Sequence, residues 1–102
     1  MRILDFSVEG QKLEKNGDFS NIIKGSKGYL KCRFKFNSEW MGYKVVVIFE
    51  RNKKETPISL NKDKTCMIPD EMSQVSSFKV KLIGDKNGNR ITTNDILIEQ
   101  EG

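Results

Sequence analysis

The side chains that could do chemistry are few. The chain has no histidine, which removes the commonest general base, the Ser-His and Cys-His nucleophile pairs and imidazole metal ligation. Two cysteines, Cys32 and Cys66, cannot complete a zinc site without histidine and are too few for a disulfide scaffold. Cys32 lies on the apolar phase of its segment and Cys66 in a short apolar run, so buried free thiols are the preferred reading and a bridge between them the alternative. Gly84 and Gly88 make no phosphate-binding loop, because no strand-to-helix transition accompanies them. Asp85, Asn87 and Asn89 alternate as calcium ligands do, but Ile96 stands where an EF-hand loop has its closing glutamate. Carboxylate pairs such as Asp70 and Glu71, or Glu39 beside Trp40, read as surface residues. The expectation is a protein without a reaction, a cofactor or a metal.

Trp40, the only tryptophan, is the residue most open to a functional role. It either caps one end of the core with its indole N–H on loop backbone, or stands exposed as a binding anchor. Met41-Gly42 returns the chain at once to a strand, which favours the cap.

The elements that must position these residues are strands. Gly28 to Arg51 organises the chain: Leu30, Cys32, Phe34 and Phe36 alternate with Lys31, Arg33 and Lys35, the period of a half-buried strand. Tyr43 to Phe49 is a denser β-branched run, and the two read as a central strand pair. Before them, residues 2–9 alternate as a first strand, Gln11 to Asn16 is polar around Leu13, and Phe19 to Ile23 reads as a short edge segment leading into the Lys24–Gly28 loop. After them come a polar turn at Asn52-Lys53-Lys54 and an edge strand, Glu55 to Leu60, around Pro57. A hairpin turn at Asn61–Lys64 and a short strand, Thr65 to Ile68, follow. Pro69-Asp70-Glu71-Met72 signals one helical turn crossing between sheets, with Pro69 at its first position. Val75 to Ile83, the hairpin dipeptide Asn87-Gly88 and a last strand, Arg90 to Gln100, complete the chain. Seven to eight short strands with regular turns predict an all-β fold, an immunoglobulin-like two-sheet β-sandwich, with a small β-barrel as the alternative.

At 102 residues the chain is one domain, 1–102, able to bury a core without a staple. Its 18 basic and 14 acidic residues, net +4, interleave along the strands, so the lysines read as solubilising and edge-protecting. Specific nucleic-acid binding is not expected, because no aromatic residues alternate with an outward basic row. No stretch approaches the ~20 apolar residues of a membrane span, and the amino terminus does not read as a signal peptide.

Five stretches carry a family resemblance: ILDFSVEGQKL, DFSNIIKGSKGYLKCRFKF, EWMGYKVVVIFE, CMIPDEM and GDKNGNRITTNDILIEQ. Trp40 and Gly42 before an apolar strand, Cys66 to Glu71 at a corner and Ile91 to Asn94 in the closing strand are its clearest marks. The chain resembles small structural proteins encoded by phages and prophages of Gram-positive bacteria, and the amino-terminal sandwich module of baseplate upper proteins. The resemblance implies a non-enzymatic virion component, assembled in the bacterial host cytoplasm, that docks in the tail or baseplate to other phage virion proteins or to copies of itself. A head-decoration or capsid-associated sandwich is the near alternative, and a carbohydrate- or nucleic-acid-binding module the far one. The candidate anchors are Trp40, Met41 and Tyr43, with Phe19 and Ile22 along the edge segment beside the Lys24–Gly28 loop.

Overall fold

The computed structural model describes residues 1–102 as nine strands, one short α-helix and one 3-10 turn. The strands are β1 (Arg2–Glu9), β2 (Lys12–Lys15), β3 (Leu30–Phe36), β4 (Lys44–Arg51), β5 (Lys54–Ser59), β6 (Thr65–Met67), β7 (Ser77–Lys86), β8 (Asn89–Thr92) and β9 (Ile96–Glu99); the helix is α1 (Asp70–Ser73). One sheet has the order β2-β1-β3-β6; the other has β5-β4-β7-β8, with β9 also on β7. The two pack face to face as an all-β sandwich and are not closed into a barrel. All pairings are antiparallel except β1 with β3, which run parallel in the register Leu4↔Cys32 and Phe6↔Phe34.

Period-two alternation places the core. Leu4, Phe6, Val8, Leu30, Cys32 and Phe34 from the first sheet meet Val45, Val47, Phe49, Phe78, Val80 and Leu82 from the second, all buried. The apolar layer between the sheets supplies the main driving force for their association. α1 crosses from β6 to β7, as the Pro69 signal predicts, with Pro69 standing one residue before the helix. Gln100 holds it there: its amide Nε2 donates to the carbonyls of Met72 at 2.8 Å and Val75 at 2.7 Å.

Five expectations change. The Gly28–Arg51 pair is not a pair, since β3 and β4 lie in different sheets and bury their apolar residues in the one core between them. Each has one strongly apolar face, which opposed sheets bury as well as a hairpin would. Similarly, Asn61–Lys64 joins no hairpin: it hands the chain from the edge of one sheet, β5, to the edge of the other, β6. The polar stretch around Leu13 is a strand, β2, because one buried leucine and the β1 ladder suffice to hold it. Phe19 to Ile23 is not a strand; Asn21 takes a left-handed φ of 54°, and only Ile23 forms a bridge, to Glu101. Finally, Arg90 to Gln100 is two strands, parted where Thr93 replaces a ladder partner. The Leu82 N–H donates to Thr93 Oγ1 at 2.9 Å, while the Thr93 N–H donates to the Leu82 carbonyl at 3.0 Å.

Candidate docking surface

The segment that crosses from β3 to β4 holds three of the five expected anchors. Ser38–Trp40 forms a single 3-10 turn, tied down because the Asn37 N–H donates to the Val8 carbonyl at 3.0 Å and Asn37 Oδ1 accepts from the Gly10 N–H at 3.3 Å. Trp40 is only 4% exposed and its indole Nε1–H donates to the Gly10 carbonyl at 2.9 Å. It is the core cap. Its ring lies against β7 at Gly84, where an added Cβ would stand 2.6 Å from Trp40 Cζ3. Gly42 turns the chain with φ +81°, and Met41, just before it, is 75% exposed. Tyr43 is half-buried beside Trp40, ring centroids 6.1 Å apart.

Phe19 and Ile22 lie elsewhere. Phe19 is half-buried, edge-on to Phe6 at 5.2 Å. Ile22 is 2% exposed, so its place among the surface anchors is withdrawn. The left-handed Asn21 turns Ile22 inward and leaves its neighbour Ile23 53% exposed. No alternation long enough to separate the two faces exists in that stretch, so the sequence pointed to the wrong neighbour.

Ile23 belongs to a second cluster. Ile23 and Tyr29 line a cavity of about 230 Å³ with Arg2, Asn21, Ser26 and the buried Leu30. Tyr29 is 46% exposed, and Met1, Ile3 and Ile23 are exposed with it. All gather where β1 and β3 begin, about 20 Å along the strands from Met41. The backbone beneath is fixed. The Arg2 guanidinium donates to the carbonyls of Asn21 at 2.9 Å, Ser20 at 2.6 Å and Asp18 at 3.3 Å. The Lys24–Gly28 loop is moored to α1: the Gly25 N–H donates to the Ser73 carbonyl at 2.8 Å and the Gly28 N–H to Asp70 Oδ1 at 3.0 Å.

The opposite end is grooved and more polar. A cavity of about 290 Å³ is lined by Phe36, Asn37, Trp40, Met41, Val45 and Lys64. A wider one of about 650 Å³ adjoins it through Phe36 and Lys64 and takes in Asp5, Asn16, Arg33, Lys35 and Asp63. Its acids are engaged: Arg33 pairs with Asp5 at 2.6 Å, and the Thr65 hydroxyl, donating to Asp63 at 2.6 Å, holds that carboxyl below its ordinary range. Three half-buried aromatic rings each carry a lysine of the same chain over the face: Lys15 on Phe19, Lys64 on Phe36 and Lys86 on Tyr43, at 5.3, 5.8 and 5.7 Å. Those ring faces are taken, which disfavours stacking with a sugar or a base.

Three of the sheet edges, β2, β5 and β6, are blocked by separate devices. Asn94 reaches β2 from the far sheet; Oδ1 accepts from the Leu13 N–H at 2.7 Å and Nδ2 donates to the Leu13 carbonyl at 3.1 Å. On β5, the two-residue turn after Arg51 puts Lys54, Thr56 and Ile58 on the paired side, so Pro57 faces outward and offers no donor. The β6 edge is three residues long, and its Thr65 carbonyl accepts from the Asn61 N–H at 3.0 Å. A partner strand finds little to extend at these three edges. Asn94 was legible only as a closing residue of the resemblance, and nothing local marked its amide as a strand mimic.

No group of three or more His, Cys, Asp or Glu side chains is placed to hold a metal ion, and no helix is long and apolar enough to cross a membrane. No protein-family model, curated protein or solved structure matches the chain.

Proposed function

We propose that this protein is a non-enzymatic docking domain, a structural component of a phage virion that attaches in the tail or baseplate through the end of the sandwich where β1 and β3 begin. One observation carries the reading: of the six exposed large apolar side chains, Met1, Ile3 and Tyr29 stand at the start of the β1–β3 ladder and Ile23 lines a cavity with Tyr29, over backbone already fixed by Arg2 and by the mooring to α1. A concentration of exposed apolar side chains at one end of a monomer is uncommon and marks an interaction surface; a pre-ordered one loses little entropy on binding. The blocked edges of β2, β5 and β6 favour side-chain packing over strand addition at this end. A head location changes the partner and leaves this physics unaltered, and the occupied ring faces weigh against the carbohydrate- and nucleic-acid-binding alternatives.

The test uses a tagged chain added to disrupted particles of its phage. Retention of an identified virion protein is expected from wild type and from Met41→Asp. Ile23→Asp combined with Tyr29→Ala is expected to weaken retention at least tenfold with the melting temperature nearly unchanged, because both side chains are exposed. Retention that ignores the double variant but fails with Met41→Asp moves the interface to the other end. Absence of any retained virion protein, together with absence of the chain from purified particles, overturns the structural-component reading.

A further inference from the structure

Cys32 and Cys66 stand directly opposite each other on β3 and β6. Both are free, and both are buried on the core face of the sheet. The pairs flanking them are hydrogen-bonded: the Phe34 N–H donates to the Lys64 carbonyl and the Ile68 N–H to the Leu30 carbonyl, each at 3.0 Å. Hydrogen-bonded pairs recur at every second residue of an antiparallel ladder, so Cys32 and Cys66 form one too, with α-carbons about 5.5 Å apart. That lies inside the range of about 4.4–6.8 Å that a disulfide spans. Directly opposed residues also project to the same side of the sheet.

We propose that Cys32 and Cys66 form a latent cross-strand disulfide, open in a reducing compartment and closed on oxidation, that staples the edge strand β6 to β3. The oxidant is a small-molecule disulfide such as oxidised glutathione. The Cys66 thiolate, on the three-residue edge strand that opens most readily, attacks one sulfur of the oxidant and expels one thiolate. The Cys32 thiolate then attacks the Cys66 sulfur of the mixed disulfide and expels the second. Two protein thiols become one disulfide, two hydrogens leave as protons, and one oxidant molecule becomes two thiols. Burial makes closure slow in the folded protein, since it pushes both thiols up, Cys66 to about 11, and leaves little thiolate. The bond does not depend on the docking reading, although β6 leaves the turn carrying Lys64 and so would fix that wall of the grooved end.

The full chain, reduced, is refolded from urea in a glutathione buffer poised to oxidise, so that burial cannot hide the thiols. Alkylation under denaturing conditions and peptide mapping then read the product. The expected product is a monomer two hydrogens lighter, unlabelled by alkylation, with a Cys32–Cys66 linked peptide and a melting temperature raised by about 10 °C. Reductant should reverse the shift. Cys32→Ala and Cys66→Ala treated identically should show no such rise. Persistent glutathione adducts, disulfide-linked dimers, a product still reduced at equilibrium, or a linked monomer that melts below the reduced protein would each overturn the proposal.

Discussion

Trp40 and Gly84 show how one missing methyl group governs a local structure. The indole occupies the space over the β7 backbone that any Cβ at position 84 would enter, and its N–H ties the β1–β2 turn to the crossover at Gly10. Gly84→Ala forces the ring out or the strand away, and is expected to cost about 1–3 kcal/mol. Urea denaturation measures the loss, and a red shift of Trp40 emission in the native state shows that the ring has moved. The thiols make a second prediction at this scale. Burial raises Cys66 from an ordinary 9.0 to about 11, so the folded chain keeps a proton that the unfolded chain releases first. The contribution is intact below pH 9 and is lost as pH rises from 9 towards 11, at about 1.4 kcal/mol per unit for one such group. Denaturation at pH 8 and pH 10.5 should therefore show a larger fall for wild type than for Cys66→Ala, the lysines and tyrosines being common to both. Equal falls would mean that Cys66 is wetter than its 1% exposure.

Among the elements, the sheet edges show most clearly how side chains stand in for strands. Asn94 presents one acceptor and one donor to Leu13, the same pair that a neighbouring strand would offer. Thr93 does the same for Leu82 between β8 and β9. Asn94→Ala is expected to cost about 1–3 kcal/mol by leaving both Leu13 groups unpaired. It also frees a strand edge, so the variant should self-associate at concentrations where wild type is monomeric, as read by sedimentation or light scattering. A monomeric variant of unchanged stability would show that water replaces the amide without loss. The turns are easier to place. Asn87-Gly88, with φ of 48° and 84°, joins β7 to β8 with Lys86 opposite Asn89, as its dipeptide predicts. Asn52-Lys53 takes the same left-handed pair of conformations, φ 48° and 64°, with a lysine where glycine would be unstrained.

For the whole molecule, the two sheets share one core and depend on each other. Trp40 packs on Phe36 of the first sheet, ring centroids 5.2 Å apart, and on Gly84 of the second, so its fluorescence reports sheet-on-sheet docking while far-ultraviolet circular dichroism reports the strands. Neither sheet can bury its apolar face alone, and the two signals are expected to give the same midpoint and the same transition width in urea. A fluorescence transition that precedes the loss of β signal would mean that the sheets separate before they melt.

The amino-acid sequence by itself determined the strands with a repeated buried face. β1, β3 and β7 each alternate over seven or more residues, long enough for the period of two to be read against any other, and β4 is read instead from its dense β-branched run, in which Val47, Ile48 and Phe49 are all buried. It also determined the edge character of β5, since Pro57 has no N–H to give, and the crossover at Pro69-Asp70. Tertiary structure decided what has no local signal. Which sheet takes β3 and which takes β4 follows from burying two apolar faces at once, and either arrangement satisfies the same alternation. Whether Ile22 or Ile23 faces the core depends on the left-handed turn at Asn21. Leu13 becomes a strand residue only because β1 is beside it and Asn94, 81 positions away, completes its hydrogen bonds. Cys32 and Cys66 become a pair only when β6 is laid on β3, because a register between distant segments is set by the sheet and not by either segment alone.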